Sequence, residues 1–337
     1  MKTLIIGGTG VISGAIVDRL KELGNDVYVF NRGLSKIRYK YDVNVINGDK
    51  SNRAEFVKLM SGYEFDAVID MISYNYDDAS ITLEAFGKSP HIVFTSTCAT
   101  YKRPFNAALV KEDFERWAKE ESYPYGYHKA RMEDYLFDQV NNGYKITIIR
   151  PSLTYGIGSK NIGILRNNYG IIERIKNNKP VVVFGDGTTP WDFTFAPDIA
   201  KVYAGVLCKE LCYGQAYHAT SGDVRIWDDL YIEFGKILGI EPKIIHISTE
   251  MMMQLIPDRV SHIYQEKMWS GLFDNSKIKS HVPEYQPEYT LDKTLKAIYN
   301  WYTEDPEARI IDKDLDDLED KLVDGYYKGI EIMRANL

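Results

Sequence analysis

The chain has few cysteines, no long apolar run and no excess of basic residues. Cys98, Cys208 and Cys212 are the only cysteines among 337 residues, too few for a disulfide framework and consistent with a reducing compartment. No apolar segment approaches the roughly 20 residues that span a bilayer. The first residues run directly into a glycine turn instead of forming a signal peptide. We therefore expect a cytoplasmic protein that does not bind membranes.

The charge balance argues against another class of partner. The formal net charge is -7, whereas nucleic-acid binding normally needs a basic patch. Apart from each other, Cys208 and Cys212 have no histidine or cysteine partner nearby that would complete a metal site. A composition of 45% hydrophobic and 26% charged residues is ordinary for a globular enzyme. We expect a small-molecule substrate, no nucleic acid and no bound metal.

Short apolar runs alternate with amphipathic stretches in the first half of the chain. The runs TLIIGG, DVYVFNR, FDAVIDM and HIVFTST predict strands, and SGAIVDRLKELG and RAEFVKLMSG predict helices. This alternation is typical of an α/β fold of Rossmann type, a doubly wound parallel sheet. We assign 1–155 to an NAD(P)-binding domain, with returns from about 184–210. A smaller mixed α/β substrate-binding domain takes 156–183 and 211–302, and 303–337 form a charged helical tail.

A glycine-rich turn lies between the first strand and the first helix. Its glycines permit a tight turn and let backbone N–H groups approach a pyrophosphate at a helix N-terminus. We predict that Gly7, Gly10, Val11 and Ile12 contact a dinucleotide there. Ser13 replaces the third glycine of the pattern; it is small enough for close packing, but its hydroxyl can shift the turn.

The end of the second strand bears on the choice of cofactor. An acidic residue there would bind the ribose of NAD, but this chain has neutral Asn31 followed by Arg32, with Lys36 nearby. These residues favour NADP over NAD, although Arg32 could also stack on adenine or face solvent. Asp49 follows the next strand, where it could accept a hydrogen bond from the adenine amine or serve only the turn.

Tyr125 and Lys129 stand four residues apart, so they share one face of a helix. Thr97 follows a predicted strand, at the sheet edge where ligands bind in parallel sheets. A tyrosinate can remove the hydroxyl proton when hydride leaves a carbinol, but a phenol titrates near pH 10. Lowering that pKa to neutrality requires about 4 kcal/mol of anion stabilisation, which an ammonium and an oxidised nicotinamide can supply. Thr97 would hydrogen-bond the substrate oxygen.

The order of these motifs resembles a known family. Beside the glycine turn stand FTSTCATY, YGYHKARME, RPSLTYGIG and FGDGTTPWDFTFAPDIA. The pattern is similar to that of extended short-chain dehydrogenases/reductases, the NAD-dependent epimerase/dehydratase group. The resemblance implies that Thr97, Tyr125 and Lys129 are catalytic and that Lys129 also holds the nicotinamide ribose. It also implies a homodimer formed through the helix that bears the Tyr–Lys pair.

Two departures from the family pattern narrow the reaction. Cys98 and Ala99 stand where the dehydratases of this group carry an Asp–Glu pair, so dehydration lacks its acid and base. Trp191 stands where nucleotide-sugar enzymes place an arginine, and it could stack on a substrate or merely pack. Arg150 is a candidate substrate contact, and the other candidate anion contacts are Lys160, Arg166 and Arg225.

Three hypotheses remain. The sequence favours an NAD(P)-dependent enzyme that acts on a sugar or nucleotide-sugar hydroxyl by proton transfer through Tyr125 and hydride transfer, and so catalyses epimerisation. The first alternative is an NADPH-dependent reductase of a sugar-like carbonyl. The second is a non-catalytic dinucleotide-binding or RNA-associated relative.

Overall fold

The computed structural model describes residues 1–34, 39–159, 162–163, 165 and 168–337. Three candidate contacts, Lys36, Lys160 and Arg166, lie outside these described residues. The chain divides into two compact units. The first contains Met1–Thr154, Thr194–Gly222 and Phe273–Glu288, and the second contains Tyr155–Phe193, Asp223–Leu272 and Tyr289–Leu337. The segments 211–222 and 273–288 thus lie in the first unit, which differs from the predicted boundaries.

The first unit is built on a seven-stranded sheet with helices between its strands. Its sheet strands are β1 (Lys2–Ile6), β2 (Asp26–Asn31), β3 (Asn44–Asn47), β4 (Ala67–Asp70), β5 (His91–Thr95), β6 (Ile146–Pro151) and β10 (Gln215–Ala219). Its helices are α1 (Val11–Glu22), α2 (Arg53–Met60), α3 (Tyr76–Phe86), α4 (Pro124–Asn141), α6 (Ala196–Val206) and α10 (Ser276–His281).

All strands of this sheet pair in parallel, in the order β10-β6-β5-β4-β1-β2-β3. The order reverses between β1 and β4, where ligands bind beyond the carboxyl ends of the strands. Apolar side chains fill a core on each face: Ile5 lies in one core, and Leu4 and Ile6 lie in the other. This architecture confirms the predicted α/β doubly wound fold.

The second unit is mixed. The remaining strands are β7 (Leu153–Tyr155), β8 (Val181–Phe184), β9 (Pro190–Phe195), β11 (Val224–Ile226) and β12 (Ile244–Ile247). Within this unit β8 pairs in parallel with β12, and β9 pairs antiparallel with β11. Its helices are α5 (Tyr169–Lys176), α7 (Trp227–Leu238), α8 (Thr249–Leu255), α9 (Pro257–His262), α11 (Leu291–Glu304) and α12 (Lys313–Asn336).

The charged tail of the sequence forms α12, which packs within the second unit. Its Leu322 and Val323 are buried, and Glu319 accepts the N–H of Val182 on β8 at 2.8 Å. The buried guanidinium of Arg174 on α5 pairs with Asp316 at 2.6 Å. The acidic residues of the tail thus hold α12 against α5 and β8. Among the described residues, no helix combines the length and the apolar character that a bilayer span requires.

Candidate active site

The glycines of the β1–α1 turn allow the backbone to pass close to its neighbours. Gly7 has a φ of +87°, a conformation that favours glycine, and a Cβ there would lie 2.3 Å from Ile72 Cγ2. A Cβ on Gly8 would lie 2.3 Å from Val29 Cγ1. Side chains at these positions would push the turn away from the sheet. The glycines therefore let the turn lie close to the carboxyl end of β1, where it presents backbone rather than side chains.

The Ser13 side chain forms hydrogen bonds with the backbone of this turn. Its hydroxyl accepts a hydrogen bond from the N–H of Gly10 at 2.8 Å and donates to the Gly10 carbonyl at 3.3 Å. The side chain is buried, so serine keeps the close packing expected of the third glycine. Helix α1 begins at Val11, and the N–H groups of its first turn, those of Val11 and Ile12, have no acceptor within the helix. This end of α1 can hold an anion.

The ends of β2 and β3 carry the residues predicted to contact the adenosine half of a cofactor. The side-chain oxygen of Asn31 accepts the N–H of Gly33 at 2.7 Å, which orders the turn after β2. The next residue, Arg32, is exposed. Asp49 is also exposed and accepts from the N–H and the hydroxyl of Ser51 at 2.9 and 2.8 Å. These hydrogen bonds, with a smaller contribution from Arg32, hold the pKa of Asp49 below its usual value.

The turn after β5 packs against the first turn of α4. Thr97 Oγ1 accepts the N–H of Ala99 at 3.1 Å, which leaves the hydroxyl hydrogen to be donated to another group. The Ala99 carbonyl accepts the indole N–H of Trp117 at 2.9 Å. A Cβ on Gly126 would lie only 2.4 Å from that carbonyl oxygen. Gly126 therefore allows the turn that carries Thr97 to pack against the turn that carries Tyr125. In the sequence, this close contact is indicated only by a glycine directly after the tyrosine.

Tyr125 and Lys129 differ sharply in exposure. The Tyr125 side chain is 42% exposed, and its ring packs edge-on against Tyr123. Lys129 is 2% exposed, and its Nζ donates to the carbonyls of Ser73 at 2.6 Å and Thr95 at 2.8 Å. Thr95 ends β5 and Ser73 follows β4, so both carbonyls lie at the carboxyl edge of the sheet. Burial lowers the pKa of Lys129 to about 8.

Two buried charged residues at this edge were not identified from the sequence. Lys50 follows β3 and Asp70 ends β4, and the ammonium and the carboxylate form an ion pair at 2.7 Å. Burial acts to raise the pKa of Asp70, but Lys50 and hydroxyl donors hold it below its usual value. Neither residue belongs to a motif that predicted the site. The two meet only because the parallel strands β3 and β4 end at the same edge of the sheet.

The structure corrects two predicted substrate contacts, and the first is Arg150. Its guanidinium donates to both carboxylate oxygens of the fully buried Glu133, at 2.9 and 2.5 Å. It also donates to the Tyr101 hydroxyl and the Glu112 carbonyl, both at 2.7 Å. These bonds use four of the five N–H groups of the guanidinium. Arg150 is therefore a partner in an internal ion pair rather than a substrate contact.

The second correction concerns Trp191, which is fully buried in the second unit. Its indole N–H donates to the carbonyls of Lys267 at 2.9 Å and Trp269 at 2.8 Å. Its ring lies so close to Gly271 that a Cβ there would be 2.5 Å away. Trp191 packs in the core and offers no surface to a substrate. The candidate anion contact Arg225 pairs with Asp223 at 3.0 Å.

The chain is similar to several known proteins. A sequence profile of the NAD dependent epimerase/dehydratase family matches residues 3–212, which is more than half of the chain. A 2'-dehydrokanamycin reductase from Streptomyces kanamyceticus is 23% identical over 85% of this chain and 80% of its own length.

Solved structures share the fold at low identity. A UDP-glucose 4-epimerase from Thermotoga maritima, solved with UDP-glucose, is 18% identical with a TM-score of 0.72, covering 90% of this chain and 99% of the other. A dTDP-glucose 4,6-dehydratase from Bacillus anthracis, solved in complex with NAD, is 16% identical with a TM-score of 0.73, covering 91% and 98%.

Proposed function

Because the chain belongs to the NAD-dependent epimerase/dehydratase family, we propose that it transfers hydride between NAD(P) and a sugar-like substrate, with Tyr125 as the proton-transferring residue. The observation that carries the proposal is the position of Lys129. Its ammonium is buried at the carboxyl edge of the sheet, one helical turn from Tyr125, and is fixed by the carbonyls of Ser73 and Thr95.

The fixed ammonium explains how Tyr125 would act. Two of the three N–H groups of Lys129 point to backbone carbonyls, so its position on α4 is set before any ligand binds. The third N–H would donate to a ribose hydroxyl. The positive charge stabilises a phenolate one turn away, which makes Tyr125 a better base for oxidation and a proton donor for reduction. Thr97 donates its hydroxyl hydrogen to the substrate oxygen and keeps it in reach of Tyr125.

The residues around the sheet edge fit a dinucleotide. The close-packed glycines and the N–H groups of Val11 and Ile12 suit a pyrophosphate. Arg32 at the end of β2, where no acidic residue stands, suits a 2'-phosphate, and we therefore propose NADP. Asp49, whose carboxylate is held ionised, would accept from the adenine amine. A nicotinamide bound there would supply or accept the hydride.

Of the possible reactions, we favour net reduction of a sugar-like ketone. The reductase relative covers most of the chain, and Arg32 suits the reductive cofactor. Cys98 and Ala99 provide no carboxylates for dehydration. The buried Trp191 leaves no arginine at the position where nucleotide-sugar enzymes of this family contact a pyrophosphate, which favours a substrate without a nucleotide.

Epimerisation is the second candidate, and family membership and the shared fold of epimerases support it. The two reactions differ in what happens to the cofactor. A reductase consumes NADPH stoichiometrically and binds it reversibly. An epimerase keeps its dinucleotide through purification and interconverts substrates without net consumption.

The test combines both readouts. Mass spectrometry identifies any dinucleotide released from the purified protein, and NADPH absorbance is followed with a panel of oxidised sugars and nucleotide sugars. We expect Tyr125→Phe to lower turnover by roughly 10²- to 10⁴-fold while NADPH affinity stays within about twofold. Tyr127→Phe, two residues further along α4, is the matched control and should keep wild-type turnover. Full activity in the Tyr125 variant would overturn the assignment of the base.

A further inference from the structure

The carboxylate of Asp70 organises the turn that follows β4. Asp70 has no exposed surface. One oxygen accepts the N–H groups of Ile72 and Ser73, both at 3.0 Å. The other accepts the hydroxyls of Ser73 at 2.8 Å and Thr82 at 2.5 Å, and the ammonium of Lys50 at 2.7 Å. Five donors therefore converge on one carboxylate, which fixes the backbone of Ser73.

Lys50 reaches the same point from the loop after β3. Its side chain is 6% exposed, and its ammonium donates both to Asp70 and to the Ser73 hydroxyl at 2.7 Å. A buried ammonium needs a partner of opposite charge, and Asp70 is that partner. The hydroxyl of Ser73 is thus held by both members of the pair.

Ser73 connects this pair to the candidate active site. Its N–H and hydroxyl are bound by Asp70, and its carbonyl accepts the ammonium of Lys129 at 2.6 Å. We propose that Lys50 and Asp70 are positioning residues: Asp70 fixes the Ser73 carbonyl that holds Lys129, and Lys50 neutralises the carboxylate beside it. The inference rests on the proposed role of Lys129 and assigns a function to two residues that are not among the predicted site residues.

The Lys50–Asp70 pair has a second effect, which is on the pKa of Lys129. The charged groups that face its ammonium are Asp70 from β4, Lys50 from the loop after β3, Asp78 from α3 and Glu133 from α4; the ring of Tyr74 lies 5.1 Å away. Burial is the main cause that lowers the pKa of Lys129, Asp70 and Glu133 raise it, and Lys50 lowers it. Loss of Lys50 alone would leave Asp70 unbalanced and stabilise the Lys129 ammonium. Loss of both charges would remove most of that change.

The experiment measures the titration of Lys129 without any substrate. Protein labelled with ¹³Cε-lysine is titrated from pH 6 to 11 by NMR, and the Lys129 resonance is assigned by its absence in Lys129→Arg. We expect K50M to raise the Lys129 pKa by about one pH unit. The double variant K50M/D70N should return it to within about 0.3 pH units of the wild type, because both charges are gone while the amide oxygen that D70N introduces can still accept the N–H groups of Ile72 and Ser73 and keep the Ser73 carbonyl in place. K201M is the matched control, because Lys201 also pairs with a buried carboxylate, that of Asp198 at 2.9 Å.

The outcomes separate positioning from a merely structural role. Loosening of the fold would expose Lys129 and raise its pKa in both variants, so a double variant as high as K50M overturns the proposal. An unchanged pKa in K50M also overturns it. If K50M does not yield folded protein, K50Q, which can still donate to the Ser73 hydroxyl, replaces it in the same comparison. NADPH fluorescence titration of the wild type tests the proposed function separately, since failure to bind NADPH would refute that function and leave the titration result intact.

Discussion

Gly126→Ala is the substitution that most directly tests how Tyr125 is placed. The added Cβ would lie 2.4 Å from the Ala99 carbonyl oxygen and 2.6 Å from Trp117 Cδ1. The first of these atoms is backbone and already accepts the Trp117 indole N–H, so it cannot rotate away. The first turn of α4 must therefore move away from the turn that carries Thr97. Tyr125 would move with it.

Two opposing effects set the change in stability that Gly126→Ala causes. Alanine in place of a helical glycine contributes up to about 1 kcal/mol of stability. Overpacking of this kind costs about 1–3 kcal/mol, so the clash offsets or outweighs the gain. A displacement of about 1 Å at a reacting group lowers turnover by roughly 100-fold. We therefore expect the loss of activity to be much larger than the loss of stability.

Gly325→Ala is the matched control. Gly325 lies in α12, and a Cβ there would meet nothing within 4 Å, so only the propensity gain applies. Thermal unfolding followed by circular dichroism should place Gly126→Ala below Gly325→Ala by roughly 2–12 °C. Turnover is measured with the ketone found in the NADPH panel, and NADPH affinity should be unchanged. Gly126 does not set the position of Tyr125 if Gly126→Ala turns over like the wild type and melts like Gly325→Ala.

Three further predictions follow from the charged residues. Arg32→Ala should raise the Kd for NADPH roughly 10- to 100-fold and change that for NADH by less than about twofold, measured by cofactor fluorescence. Arg174→Met, which removes the ion pair that Arg174 makes with the buried Glu319 at 3.4 Å, should lower the free energy of unfolding by about 3–5 kcal/mol. Lys179→Met, whose side chain is 40% exposed and pairs with Asp316, should lower it by less than about 1 kcal/mol in denaturant titrations. Because burial lowers the pKa of Lys129 to about 8, NADPH affinity should fall as pH rises through 8, and Lys129→Met should lack this dependence. The unfolded chain keeps that proton up to about pH 10.4, so Lys129 adds to the free energy of unfolding a contribution that rises with pH between about 8 and 10.4, and the Lys129→Met variant should lack this contribution.

Local patterns predicted the central part of the first unit well. Strands buried on both faces read as continuous apolar runs, and β4 and β5 are fully buried as expected. Strand β10 was not assigned to the sheet, because QAYHA has no such run. Its place is decided by pairing with β6, in which Gln215 lies opposite Thr147 across a long sequence separation. Pairing of that kind leaves no local signal.

The residues of the candidate site also divide into those that local sequence patterns predict and those that they do not. Tyr125 and Lys129 could be predicted because both lie on one helix, and their spacing is a local property. Lys50 lies in the loop after β3 and Asp70 ends β4, and nothing in their flanking residues indicates that they are buried together. Trp191 was ambiguous for a different reason. A tryptophan suits both a ligand surface and a core, and only the surrounding chain decides between them.

The interleaving of the two units has a consequence for biosynthesis. The first unit needs Phe273–Glu288 as well as the amino-terminal segment, and the second begins at Tyr155 and ends at Leu337. No single cut of the gene yields either unit whole. A ribosome must also deliver at least 288 residues before the first unit has all its parts. Until Gln215–Ala219 has been synthesised, the nascent chain carries β6 with its outer edge unpaired, a stage at which chaperones would find an open strand to protect.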